Sequence, residues 1–327
     1  MPVKRVTKRA TSGLVMLGLT LGLVGPANAQ EYPNQPIKFI VGFAAGGFAD
    51  SMGRVIAQAM SENLGQPVVV ENQGGAGGNI AAANIAAAPD DGYTVLVTTA
   101  GISLTKALGT KVEYDLADLT PVAIPVSSPE VLAANPQVPA SNLAELIEWA
   151  KAQDKVTLGS AGKGTSSQIT TSYFLNEVAG LENVVEVTYQ GGGPANQAAI
   201  AGEVNLVGSS NSAYPFIREG LLKGLAIADT TRHDAIPDVG TFKEQGFDGV
   251  IASSWVGLFV PASTNSEIVE TLNAAVNKAL DEPNVIKSFQ MAGVKTEKRD
   301  VAETKAFFEE DIASWSKMAS AVGGTSK

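Results

Sequence analysis

The chain has no cysteine and a single histidine, and these two scarcities exclude whole classes of chemistry. Without thiols there is no disulfide, no thiolate nucleophile and no Cys-ligated metal. One histidine, His233, cannot build a His-rich zinc site. Its setting, Thr230 to Asp238, is polar and reads as a solvated loop, with a catalytic role as the lesser alternative. Basic residues are in deficit, 23 Lys plus Arg against 33 Asp plus Glu, so nucleic acid and anionic membrane surfaces are poor partners. Phosphate-loop spacing is missing too: Gly162 to Thr165 contains Gly-Lys-Gly-Thr without the preceding glycine of a Walker motif.

Long apolar runs are equally scarce. The run from Gly13 to Val24 follows Lys4, Arg5, Lys8 and Arg9 and precedes Pro26, Ala27, Asn28 and Ala29. Residues 1–29 therefore read as a secretory signal peptide cleaved after Ala29. A membrane anchor needs about 20 apolar residues, and this run is shorter and ends near a helix breaker. No lipoprotein cysteine accompanies the signal, so the mature protein is expected free in a bacterial periplasm. Loss of the four basic residues leaves 19 Lys plus Arg against 33 Asp plus Glu and takes the formal charge from −10 to −14. With 45% hydrophobic residues, a mature chain of about 300 residues can bury enough surface for two domains.

What the chain does have is strands alternating with helices, the grammar of parallel α/β sheets. Ile37 to Phe43 reads as a strand, Ala44 to Gly47 as a glycine turn, and Asp50 to Asn63 as a helix, with Asp50 as its N-cap and a ligand contact as the lesser alternative. The pattern repeats with strand Val68 to Glu71, turn Gly74 to Gly78, helix Asn79 to Ala88 and strand Tyr93 to Thr98. It returns in the middle of the chain with strand Val156 to Ser160, a loop through Ser166, and helix Ser167 to Ala179. Strand Val184 to Tyr189 leads through Gln190 to Gly193 into Pro194 at an expected first helical position. Strand Val204 to Val207, the serine-rich loop Gly208 to Ser212, and helices over Ile268 to Leu280 and Ala302 to Ala321 complete the pattern.

These loops carry binding chemistry. Each sets backbone N–H groups at a helix N-terminus, where unsatisfied donors and the helix dipole favour an anion. Thr165, Ser166, Ser209 and Ser210 add hydroxyl donors. An acidic protein can thus hold a carboxylate without a basic patch. Any one glycine turn after a strand is also an ordinary α/β connection, so the argument rests on several such loops in both halves.

At these residues the chain resembles the extracytoplasmic solute receptors of tripartite tricarboxylate transporters, the Bug family. The matching segments are Tyr32 to Val41, Gly46-Gly47, Leu64 to Asn72, Gly74 to Gly78, Pro89 to Tyr93, Gly162 to Thr165, Tyr189 to Ala195, Ile236 to Val239 and Ser254 to Gly257, in family order over nearly the whole mature chain. The resemblance implies a type II periplasmic binding protein fold: two α/β lobes joined by two crossover strands, with a carboxylate ligand in the cleft between them. The lobes are expected at 30–131 with 255–327, and at 132–254, the chain leaving the first near Val131 to Ala133 and returning near Ser253 to Trp255. It also implies a monomeric receptor without cofactor that delivers a small carboxylate to a permease of one large and one small membrane subunit.

Carried over residue by residue, the first ligand loop falls on Phe43, Ala44, Ala45, Gly46, Gly47 and Phe48, and the second-lobe loop on Ser160, Gly164, Thr165 and Ser166. Thr99, Ala100, Ser103, Gln190 and Gly191 are further candidates, with Ser209 and Ser210 on the serine-rich loop. Trp255 is expected to pack at the crossover, ligand stacking being the lesser alternative. The chain departs from the family in having Ala44 and Ala45 for prolines, Phe48 for a small residue, Ala49 for Thr and Gln168 for His. Amino-acid-binding members often carry an Asp near Ser209; here that segment has no charge, which disfavours a ligand ammonium. The expected ligand is a non-amino mono- or dicarboxylate, aromatic acids included. No nucleophile–base pair or cofactor fingerprint supports an enzyme. A receptor presenting its ligand to a membrane sensor kinase is the alternative function.

Overall fold

The computed structural model describes residues 1–3, 32–43, 45–189 and 191–322. The cleavage site expected after Ala29, together with Ala44 and Gln190, lies outside the described residues. From β1 (Ile37–Val41) the chain runs through α1 (Phe48–Leu64), β2 (Val68–Asn72), α2 (Asn79–Ala86), β3 (Thr94–Thr99) and α3 (Gly101–Ala107) into the long β4 (Leu119–Pro129). After Glu130 it enters a second sheet with β5 (Val131–Ala134), α4 (Leu143–Lys151), β6 (Val156–Ser160), α5 (Ser166–Ser172), β7 (Val184–Thr188), α6 (Gly192–Ala201), β8 (Leu206–Ser209), α7 (Tyr214–Arg218) and β9 (Lys223–Ile227). It returns as β10 (Ser253–Pro261) and ends in α8 (Ser266–Ala279), α9 (Pro283–Ala292), β11 (Lys295–Thr296) and α10 (Val301–Ala321).

The first sheet has the order β11-β4-β10-β3-β1-β2 and the second β7-β6-β8-β5-β9. The expected parallel character holds within β2-β1-β3 and within β7-β6-β8. The crossing strands differ. β10 lies antiparallel between β3 and β4, and β5 antiparallel between β8 and β9. The reason is topological: β4 leaves one sheet and β10 comes back, so they run in opposite directions.

Local chemistry accounts for the elements. β1 alternates, with Ile37, Phe39 and Val41 fully buried. In α1, Met52, Ile56 and Met60 share the buried face, and Gly65 ends the helix at φ 64°. The helix begins two residues before the expected Asp50, with Gly47 at the cap position. Likewise α6 begins at Gly192, which makes Pro194 its third residue rather than its first. α10 opens on a capping box, Asp300 accepting from Glu303 N–H at 2.8 Å and Glu303 accepting from Asp300 N–H at 3.0 Å. No helix among the described residues is long and apolar enough to cross a membrane.

Packing links the two sheets in a way the expected lobe boundaries do not express. The first half of α10 packs Phe308 against Trp255 and Phe259 in the core of the first sheet. Its last turns carry Trp315, Met318 and Ala319 into the core that also holds Leu158, Phe174 and Leu206 of the second. β8 in turn meets α5 at Gly208, where an added Cβ would stand 2.5 Å from Thr171 Oγ1 and 2.9 Å from the backbone oxygen of Ser167. Gly208→Ala is therefore expected to lower stability by about 1–3 kcal/mol through overpacking, measurable by chemical unfolding. An unchanged midpoint would show that α5 can move away at no cost.

Candidate ligand-binding cleft

The C-terminal ends of parallel strands from both sheets converge on a cavity of about 400 Å³, within the range of small-molecule sites. Phe43 follows β1, and Thr99, Ala100, Gly101 and Leu104 follow β3. From the second sheet come Ala161, Lys163, Gly164, Thr165, Ser166 and Ser167 after β6, Gly192 at the start of α6, and Ser209, Ser210 and Ser212 at the end of β8. Gly77, Glu130 and Ser254 complete the wall.

Of the residues expected to bind ligand, this wall brings together Phe43, Thr99, Ala100, Gly164, Thr165, Ser166, Ser209 and Ser210. Ala45, Gly46, Gly47 and Phe48 do not reach it. Within this segment the Gly46 N–H donates at 2.8 Å to Asp50, whose carboxylate also accepts from Asn72 Nδ2 at 2.8 Å and pairs with Arg54 at 2.9 Å. The hydrogen bond from Arg54, foremost, holds its pKa down at about 2. The Gly46 amide is thus already paired with the protein's own carboxylate. Ser103 and Ser160 are fully buried behind the wall, and Gly191 donates to Ala161 O at 3.0 Å, leaving its neighbour Gly192 to face the cavity.

The second-lobe loop is shaped from within. Thr165 Oγ1 donates to Gly162 O at 2.8 Å, and Gln168 accepts from Gly164 N–H at 3.0 Å while donating to Glu186 at 2.8 Å. Ser209 and Ser212 hydroxyls lie 3.2 Å apart, and Asn196 Nδ2 donates to Ser212 at 3.2 Å. Trp255 is buried with its ring centroid 6.0 Å from both Phe259 and Phe308, outside the cavity wall. His233 corrects the sequence expectation. It is 4% exposed, stacked 4.9 Å from Tyr214, with Nδ1 accepting from Ala235 N–H at 3.0 Å. Its polar neighbours in sequence turn outward while the ring turns in, and burial lowers its pKa.

The residue missed by sequence reasoning is Glu130, 1% exposed and set between β4 and β5. Its N–H donates to Ala252 O at 3.0 Å and its C=O accepts from Ala228 N–H at 2.8 Å, while Ala252 N–H donates to Ala228 O at 3.0 Å. Neither carboxyl oxygen makes a hydrogen bond of good geometry among the described residues, although the Ser166 hydroxyl lies close enough to lower its pKa. A signal existed: Glu130 is the one charged residue between Asp118 and Glu145. The other charge on the wall, Lys163, is exposed. Among the described residues no group of three or more acidic or imidazole side chains is placed to hold a metal ion.

Two α/β sheets joined by two crossing segments, with a hydroxyl-rich cleft at their strand ends, are the architecture of solute-binding proteins of type II fold. The chain belongs to the tripartite tricarboxylate transporter family receptors, the TctC family, whose model matches residues 52–323. Protein BugT of Bordetella pertussis is 33% identical over 313 residues, 92% of this chain and 94% of that one. Among solved structures, MatC from Rhodopseudomonas palustris with bound malate is 33% identical with a TM-score of 0.73, covering 88% of this chain and 99% of MatC. Rpa4515 from the same organism, with adipate, is 29% identical with a TM-score of 0.76, covering 90% and 99%.

Burial pushes the Glu130 carboxyl up to about 8, and the nearby Ser166 hydroxyl offsets a smaller part. With its folded value above the unfolded 4.5, its contribution to stability is whole below pH 4.5 and is lost as the pH climbs to about 8. Asp311, raised by burial to about 6, completes its loss there. His233, lowered by burial, acts in the opposite sense and is spent above 6.5. The unfolding free energy of wild type is therefore expected to fall relative to Glu130→Gln by about 1 kcal/mol per pH unit on average between pH 6.5 and 8, most steeply at the lower end. Parallel profiles for the two proteins in urea titrations would reject a buried acid at this position.

Proposed function

We propose that this chain is a periplasmic receptor that captures a small carboxylate and hands it to a tripartite tricarboxylate-type permease of one large and one small membrane subunit. On this reading it acts as a monomer and without a cofactor, after cleavage of the N-terminal signal. The observation that carries the proposal is the cleft itself. Thr99, Thr165, Ser166, Ser167, Ser209, Ser210, Ser212 and Ser254 bring hydroxyls to a cavity that also receives the backbone at the starts of α5 and α6. Such groups donate to an anion without adding a formal charge. Relatives described with malate and adipate support the ligand class. Phe43 and Leu104, rather than Phe48, supply the apolar surface for a hydrocarbon or aromatic portion. The preferred ligand is a non-amino mono- or dicarboxylate, because the Ser209–Ser210 segment offers no charge to an ammonium.

A thermal-shift screen of carboxylates identifies the ligand class, and calorimetry tests the donors. Thr165→Ala combined with Ser166→Ala is expected to weaken carboxylate binding by about 1–3 kcal/mol. Unchanged affinity in the double variant places the carboxylate on other groups.

Ligand class is tested with matched pairs. Wild type should bind succinate more tightly than aspartate and glutarate more tightly than glutamate, by up to about 2 kcal/mol. Ser209→Asp should narrow or invert that order, since the added carboxylate attracts ammonium and repels a second ligand carboxylate. Tighter binding of both amino acids by wild type would refute the non-amino assignment.

A further inference from the structure

We propose that Glu130 is the specificity-determining residue of the cleft, donating a hydrogen bond from its carboxyl O–H to the second carboxylate of a dicarboxylate ligand. The proposal rests on the carboxylate-receptor reading above and adds a selection rule to it.

The geometry comes first. Glu130 is tied through both its N–H and its C=O to the returning segment, at Ala252 and Ala228, so its backbone cannot carry the side chain out of the cleft without breaking the crossover. Glu130 borders the cavity together with Ser166, Ser209, Ser210 and Ser254, and both of its carboxyl oxygens are buried without a hydrogen bond of good geometry, the Ser166 hydroxyl lying close enough to lower the carboxyl pKa slightly. A buried carboxyl left so is costly in its ionised form. The O–H of the neutral form calls for an acceptor, and a carboxylate is the strongest acceptor a small organic acid offers. A monocarboxylate satisfies the hydroxyl and backbone donors and leaves Glu130 idle. A dicarboxylate engages both.

The surrounding charges leave the acid neutral. Lys163, on the loop before α5, is exposed at the cavity. Tyr214, on α7, is buried and donates to Pro129 O at 2.8 Å. Asp229, beyond Ala228, is engaged with Lys295 from β11, and His233 lies against Tyr214. Ser254 on β10 and Thr99 after β3 face the cavity without charge. None of these is a cation placed to pair with Glu130, whose pKa burial raises to about 8. A ligand carboxylate beside it raises that value further, so above pH 8 the complex takes up one proton from solvent and holds it on Glu130.

The test is calorimetry of succinate, glutarate, adipate, butyrate and aspartate between pH 6.5 and 9.5, in buffers of unlike ionisation enthalpy. Wild-type affinity for the best dicarboxylate should be flat to about pH 8 and then fall tenfold per pH unit, with about one proton taken up per ligand at pH 9. Glu130→Gln, which keeps an N–H donor, should bind the same acid with a flat profile and no proton uptake. Glu130→Leu should lose tenfold or more for the dicarboxylate and less for butyrate. A wild-type profile flat to pH 9.5, or equal losses for dicarboxylate and butyrate in Glu130→Leu, overturns the proposal and leaves the receptor reading intact. Aspartate affinity that rises with pH as succinate affinity falls identifies Glu130 as an ammonium acceptor and likewise overturns it. Failure of every carboxylate to bind wild type overturns the receptor reading and this proposal together.

Discussion

Three backbone hydrogen bonds at the crossover, joining Glu130, Ala228 and Ala252, are the constraint on which the rest of the structure depends. They fasten the outgoing and returning segments side by side where one sheet gives way to the other. Because β4 and β10 are held together here, β10 is inserted antiparallel against β3, and β5 is set against β8. The loops that wall the cleft hang from these strands. The same bonds pair main-chain groups of the buried junction, where the Glu130 side chain is buried without such pairing.

The electrostatic character of the cleft follows from its wall. A receptor could seize an anion with guanidinium groups, but the wall has none. Its uncharged polar groups are hydroxyls and helix starts, whose partial charges are fixed by the fold. Asp50 shows the alternative, a carboxylate satisfied inside the protein. It is held by Arg54 first and by Gly46 N–H and Asn72 besides, which bring its pKa to about 2 and occupy the Gly46 amide ahead of α1. What distinguishes the α5 and α6 starts is that their first turns carry no acid of their own.

Periodicity and punctuation made much of the fold legible. Val156–Ser160 and the strand starts at Ile37 and Val68 stand where apolar runs meet glycine turns, and the α1 and α10 patterns place both helices within two residues. The crossing strands were less visible because β4 and β10 are buried over most of their length and show no alternation. The Val204 to Val207 strand is displaced to Leu206–Ser209 because Gly208, read as loop, is the contact that lets α5 approach. In the cleft, the loops after β3, β6 and β8 were legible from capping and hydroxyl residues. The Ala45–Phe48 segment was not, since its donor is claimed by a side chain four residues on. Glu130 escaped notice because its significance is positional: one acidic letter in an apolar run acquires chemistry only when two distant segments close over it.

The seat of α10 in both cores has a mechanical consequence. A motion drawing the second sheet away from this helix would strip Trp315 and Met318 of their neighbours, each a side chain with about 1% exposure, and forfeit several kcal/mol of burial. The two crossing segments alone would permit swivel as well as flexion. With α10 seated in both cores, the sheets are fastened at a third place besides the two crossing segments, like a book held by its spine as well as its stitching.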